Sequence, residues 1–171
     1  IKDDINIHKY AEHSFSACNG WLFNYNDCLA TKGFIYSEIL IENNIISLYN
    51  THLDAGKSKG DINARASQLE VLKQHIQNLT YDSPIIICGD FNINYYTDSH
   101  LIDSFVERNS LDILRWDQKT NVLEMIDFIF LRDGHNIKIN LIDYGVDETL
   151  LPYSDHPPVY FNFILDKKEI Q

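Results

Sequence analysis

Pro84-Ile85-Ile86-Ile87-Cys88-Gly89, running straight into Asp90-Phe91-Asn92, is the stretch that decides the fold. A short unbroken apolar run is the pattern of a strand buried on both faces, so it calls for layers above and below it. Just upstream, Asp61 offers a helix N-cap, and Ile62, Leu69, Leu72, Ile76 and Leu79 fall on one helical face. Before that helix, Gly33–Ile41 and Ile45–Leu53 read as strands joined by a hairpin at Glu42-Asn43-Asn44. The helix therefore returns the chain from one strand to a new central strand, the pattern of an α/β fold with mixed sheets.

Working outward, Ser14–Cys18 and Trp21–Tyr25 read as short strands around the turn pair Asn19-Gly20. Asp98 to Asn109 reads as a helix with Leu101, Ile102, Phe105 and Val106 inward. Ile126–Leu131, Ile137–Tyr144 and Pro158–Leu165 complete the strands. Ile1–His13 has no clear period, and Lys167–Gln171 is a solvated charged tail. No repeat, low-complexity linker or Pro/Gly-rich boundary interrupts residues 1–171, and 44% apolar composition supplies one sizeable core, so a single domain is expected.

No apolar run approaches membrane-spanning length, so no transmembrane segment is expected. The formal net charge of −11 argues against a general affinity for nucleic acid, which is bound chiefly through Lys and Arg. Cys18, Cys28 and Cys88 lack metal-ligand spacing. Cys88 reads as a small buried hydrophobe, and a Cys18–Cys28 disulfide is possible if the protein is exported.

Three strand ends carry the chemistry: Thr51-His52-Leu53-Asp54, Gly89-Asp90-Phe91-Asn92 and Ser154-Asp155-His156-Pro157. Active sites of α/β folds gather where strands run out into loops. Asp90 and Asn92 stand one residue apart, so strand alternation would turn both oxygens to one side, although Asp and Asn also favour turns in their own right. Asp127 stands among Met125, Ile126, Phe128, Ile129 and Phe130, where a carboxylate needs a partner, and a histidine is the natural one. Asp155-His156 precedes Pro157-Pro158, which stiffens the loop. An Asp127–His156 hydrogen bond of about 2.7–3.2 Å is expected, with His52, Asp90, Asn92 and His156 lining one cleft.

Taken in order, Asn50-Thr51-His52-Leu53, Arg65 with Gln68-Leu69, Gly89-Asp90-Phe91-Asn92, Ile126-Asp127-Phe128-Ile129 and Ser154-Asp155-His156-Pro157 resemble the metal-dependent endonuclease/exonuclease/phosphatase superfamily. Asp27 with Ala30, Lys32, Gly33 and Phe34 resembles a Lys-Gly segment of its sphingomyelinase-like branch. The resemblance implies a layered α/β/β/α sandwich with mixed sheets and hydrolysis of a phosphoester with Mg²⁺, or Mn²⁺ or another divalent cation. Asp90 would orient or deprotonate the attacking water, with Asn92 positioning water or phosphate. His156, oriented by Asp127, would contact the scissile phosphate or transfer a proton. His52 would stabilise charge or serve the leaving group, and Asp90, Asn92 and Asp155 would hold the metal or its water shell.

The family also supplies a metal-binding Glu and an Asn from strands upstream of the matched region, and Ile1–Asn26 resembles neither; Glu12 is the only Glu there. The expectation is a sandwich incomplete at its N-terminus, a missing N-terminal part as partner, and weak or no activity of this chain alone. The leading function is a phosphodiesterase acting on a phospholipid such as sphingomyelin. The alternatives are a nuclease or a phosphoinositide phosphatase of the same superfamily, and, from another class, a catalytically inactive binding module.

Overall fold

A computed structural model describes residues 6–20, 27–78, 83–119 and 124–168. Six strands form one sheet in the order β1-β2-β3-β4-β6-β5: β1 (Asn6–Ser14), β2 (Gly33–Ile41), β3 (Asn44–His52), β4 (Ile85–Asp90), β5 (Asp112–Ile113) and β6 (Asp127–Arg132). A separate two-stranded sheet pairs β7 (Ile137–Val146) with β8 (Val159–Lys167). Among the described residues only the β3–β4 pair is parallel, because α1 (Lys59–Asn78) carries the chain back between them. α2 (Tyr95–Asn109) lies beside α1.

Strand alternation divides the core in two. Ile85, Ile87, Phe128 and Phe130 pack with Leu69, Leu72 and Ile76 of α1 and Ile102 and Phe105 of α2. Ile86, Ile129 and Leu131 face the other way, onto Ile139 and the half-buried Phe161, Phe163 and Leu165 of the small sheet. The layers run helices, large sheet, small sheet, and the Pro84–Gly89 run supplies the central strand buried on both faces.

Boundaries shift where side chains supply signals that periodicity lacks. Glu42 and Asn43 alone make the hairpin turn, at φ 48° and 65°, so Asn44 already pairs with Ile41. α1 is capped by Ser58 rather than Asp61. The Asp61 N–H donates to Ser58 Oγ (3.3 Å) and the Ser58 N–H donates to Asp61 Oδ2 (2.7 Å), a reciprocal capping box. α2 starts three residues before Asp98, at a cap in which Asn94 accepts the Tyr96 N–H, and Asp98 is a non-helical kink (φ −129°, ψ 30°) within it.

The N-terminal reading needs correction. Within Ile1–His13, which shows no clear period in sequence, residues 6–13 together with Ser14 form β1, an edge strand with a bulge between Ile7 and Lys9. A strand exposed along most of its length has no reason to carry a hydrophobic period. Only Ser14 of the expected Ser14–Cys18 strand is in a ladder; the stretch beyond it is a loop, with the Phe15 N–H donating to the Lys32 carbonyl. The expected strand Trp21–Tyr25 and the helical residue Leu79 lie outside the described residues. Cys18 and Cys28 are joined by a disulfide, and Cys88 is a half-buried free thiol against the small-sheet core.

Candidate active site

Backbone register alone lines up three of the chemically interesting side chains. In the parallel β3–β4 pair His52 stands beside Asp90, and in the antiparallel β4–β6 pair Asp90 stands beside Asp127. Neighbouring strands are about 4.8 Å apart, so the three residues form a row across one end of the sheet. The loop entering β8 then brings His156 over this row. Its Nδ1 meets Asp127 Oδ2 at 2.6 Å, a tenth of an ångström closer than expected, and its Nε2 lies 3.8 Å from Asp90 Oδ2. His52 Nε2 approaches the same Asp90 oxygen at 3.4 Å. Two imidazoles thus flank one carboxylate.

The strand end is shaped by backbone that few residues tolerate. Gly89 has φ +143°, and a Cβ there would lie 1.9 Å from the Thr51 carbonyl oxygen. Asn92 follows at φ 52°, a left-handed conformation that asparagine accepts more readily than most residues. Its N–H folds back onto Asp90 Oδ1 (2.8 Å), and its Nδ2 donates to the Leu53 carbonyl (3.0 Å), leaving the amide oxygen for a ligand. Asp90 and Asn92 are therefore joined by a turn and not by strand alternation, since β4 ends at Asp90.

The Asp127 main chain is held from behind by Trp116, whose buried indole N–H donates to the Asp127 carbonyl (2.8 Å). Burial pushes the Asp127 carboxyl up to about 6, and the His156 imidazole pulls against that rise. His156 presents Nδ1 to the Asp127 carboxyl, which leaves Nε2 turned toward Asp90. Asp155 is 93% exposed in its side chain and lies 3.6 Å from His156 Nε2, at the mouth of the site.

Lys32 reaches the site from the other side. Its Nζ donates to His52 Nε2 at 2.9 Å and lies 3.8 Å from Asp27 Oδ1. Burial and the Lys32 ammonium lower the His52 pKa against the opposing pull of Asp90, so its neutral form is favoured. Asp54, in the same stretch as His52, is fully buried and does not face the cleft. Its Oδ1 accepts the Asn19 N–H (3.2 Å), its own N–H donates to Gln68 Oε1 (2.9 Å), and Arg65 Nη1 donates to its carbonyl (3.1 Å). Arg65 and Gln68 thus anchor the loop that follows His52 and do not enter the chemistry. Sequence offered no pointer to Trp116, because an indole that serves a backbone carbonyl looks like any core aromatic.

Asp90, Asn92 and Asp155 present the hard oxygens that suit Mg²⁺. Among the described residues, no group of three or more Asp, Glu, His or Cys side chains gathers to hold an ion. The donor set fits Mg²⁺ in kind, with the remaining positions falling to water and phosphate oxygens, as is usual for this cation.

Residues 4–125 match the model of endonuclease/exonuclease/phosphatase family 2. A sphingomyelinase of Mycobacterium tuberculosis is 26% identical over 170 residues, covering 85% of this chain and 34% of its own length. The sphingomyelinase C of Listeria ivanovii is 30% identical over 131 residues, covering 64% of this chain and 39% of its own. The chain thus spans little more than a third of these relatives. Among solved structures, a beta toxin variant of Staphylococcus aureus with bound magnesium ions superposes with a TM-score of 0.58 at 18% identity, over 95% of this chain and 64% of that one.

Proposed function

Because the chain belongs to the endonuclease/exonuclease/phosphatase family, we propose that its site hydrolyses a phosphodiester with the help of Mg²⁺, and that the substrate is a phospholipid of the sphingomyelin type. The observation that carries the reading is the convergence of His52, Asp90, Asp127 and His156 at one sheet end, with the Asp127–His156 bond at 2.6 Å. Such a set can position a water, accept its proton and return one to a leaving oxygen.

Asp90 orients the attacking water and takes its proton. The water oxygen bonds to phosphorus, the P–O bond to the alcohol breaks, and the departing oxygen takes a proton from the His156 imidazolium, which Asp127 stabilises and aims. His52 and the Lys32 ammonium face the phosphoryl oxygens from the opposite side, where positive charge offsets the negative charge that develops. Asp90 and Asn92 would hold Mg²⁺, with Asp155 supporting its water shell, and the ion would supply charge neutralisation at the phosphoryl group.

The lipid preference draws on the likeness to two sphingomyelinases, the Asp27–Lys32–Gly33 segment and the net charge of −11, which disfavours a polyanionic nucleic acid. With Mg²⁺ present, a protein carrying the complete domain should release phosphocholine from sphingomyelin vesicles and leave single-stranded DNA intact. Excess chelator should abolish release and added Mg²⁺ should restore it. Release that continues undiminished in chelator would overturn the metal assignment; DNA cleavage without lipid cleavage would overturn the substrate.

A further inference from the structure

On the Asn92 side of the reaction centre lies a second cavity of about 320 Å³, walled by the loop after β3, the first turns of α1 and the loop that enters α2. It shares Asn92 with the site and reaches Ile126, the residue before Asp127, so a substrate whose phosphorus sits over Asp90 would extend one arm into it. Its lining restricts what that arm can be. Among the described residues, no aromatic side chain lines it to stack a nucleobase, and isoleucines are its only aliphatic side chains, too few for an acyl chain. Lys57 and Glu124 largely neutralise each other at 3.7 Å.

Two groups in the wall remain underused. Arg65 is only 3% exposed, both its hydrogen bonds leave from Nη1, and its Nε has no partner among the described residues. Asp98 occupies the kink that breaks the first turns of α2. Its carboxylate accepts the Thr97 hydroxyl (2.9 Å) and interacts electrostatically with the Arg65 guanidinium on the same wall. Arg65 and Asn94, whose Nδ2 also donates to Glu124 Oε1 (3.4 Å), thus share the lining of a small, nearly neutral space with an acceptor at Asp98. That pattern matches a group carrying its own hydroxyls, since each hydroxyl both donates and accepts.

We propose that this cavity is the subsite for a hydroxyl-bearing polar arm of the phosphodiester, with Asp98 accepting a hydrogen bond from the arm's hydroxyl and Asn94 donating to its oxygen. The assignment rests on the phosphodiesterase reading of the adjoining site. It deepens that reading by favouring substrates with a free hydroxyl close to the phosphoester over those whose neighbouring positions are fully esterified. Asp98 acts here in specificity and takes no part in bond breaking.

Binding tests it without turnover. The protein is titrated with glycerophosphocholine, which carries two hydroxyls beside its phosphodiester, and separately with hydroxyl-free diethyl phosphate, followed by amide NMR shifts. Glycerophosphocholine should perturb Asn94, Thr97 and Asp98 and bind about tenfold tighter than diethyl phosphate, the worth of one hydrogen bond to a charged group. Asp98→Ala should erase that preference while leaving the affinity for diethyl phosphate unchanged. If Asp98→Ala does not fold, Asp98→Asn replaces it and should lower the preference at least about twofold, because the acceptor loses its charge. The subsite is overturned if the Asn94–Asp98 amides do not respond, or if the preference survives in the substituted protein. A preference that behaves as expected in a protein that cleaves no phosphodiester would support the subsite while sinking the hydrolytic reading; turnover without any preference would do the reverse.

Discussion

His156→Ala or Asp90→Ala lowers kcat by roughly 10³-fold or more and leaves the fold standing, because proton transfer and electrostatic stabilisation are each worth about that much. The two residues are separable from the core. His156 lies on a loop, and Asp90 is the last residue of β4, with its side chain between two imidazoles and not among the packed rings of Phe91, Phe128 and Phe130. Circular dichroism and the unfolding midpoint should stay near those of the unsubstituted protein while turnover collapses. Activity should also fall as pH drops through about 6, where the Asp127 carboxyl takes up its proton and ceases to stabilise an imidazolium at His156. A His156→Ala protein with more than a tenth of normal kcat would remove His156 from the chemistry.

The second large effect is on stability. Gly89→Ala places a methyl group 1.9 Å from the Thr51 carbonyl oxygen at a backbone φ of +143°. Neither partner can yield cheaply, because Thr51 and Gly89 are register partners in the parallel ladder that holds His52 beside Asp90. The change should cost about 3 kcal/mol or more, the range of strain at special backbone conformations combined with a forced repacking. Urea unfolding measures it directly, and any folded remainder should show turnover reduced along with the displaced Asp90. An unfolding midpoint equal to that of the unsubstituted protein would mean that β3 and β4 do not approach this closely.

Much of the site is legible in the chain because strands place their ends reproducibly. The run Ile85–Cys88 marks β4, the apolar neighbours of Asp127 mark β6, and the hairpin around Glu42-Asn43 sets the register of β3. With those three strands adjacent, the row His52, Asp90, Asp127 follows from register. The solitary carboxylate in β6 points to a histidine partner on its own chemistry, and His156 fills that place. What stays hidden depends on groups whose sequence pattern is ambiguous. β1 buries too little to leave a period, and Trp116 serves the site through its indole N–H while looking like core. The left-handed turn at Asn92 and the kink at Asp98 are local backbone choices made by side-chain hydrogen bonds, and apolar spacing is silent about them. The Cys18–Cys28 bond depends on loops meeting in space, which the spacing of two cysteines does not reveal.

At the centre of the account stands a water, held by Asp90, that attacks phosphorus and expels an alcohol protonated from His156. Hydrolysis of a phosphodiester in ¹⁸O-enriched water, with Mg²⁺ present and the products resolved by mass spectrometry, tests this most directly. One labelled oxygen should appear in the phosphate-bearing product and none in the alcohol, and Asp90→Ala should suppress the labelled product. Label in the alcohol, which would place the break at carbon, or labelled phosphate formed undiminished by the Asp90→Ala protein, would contradict it.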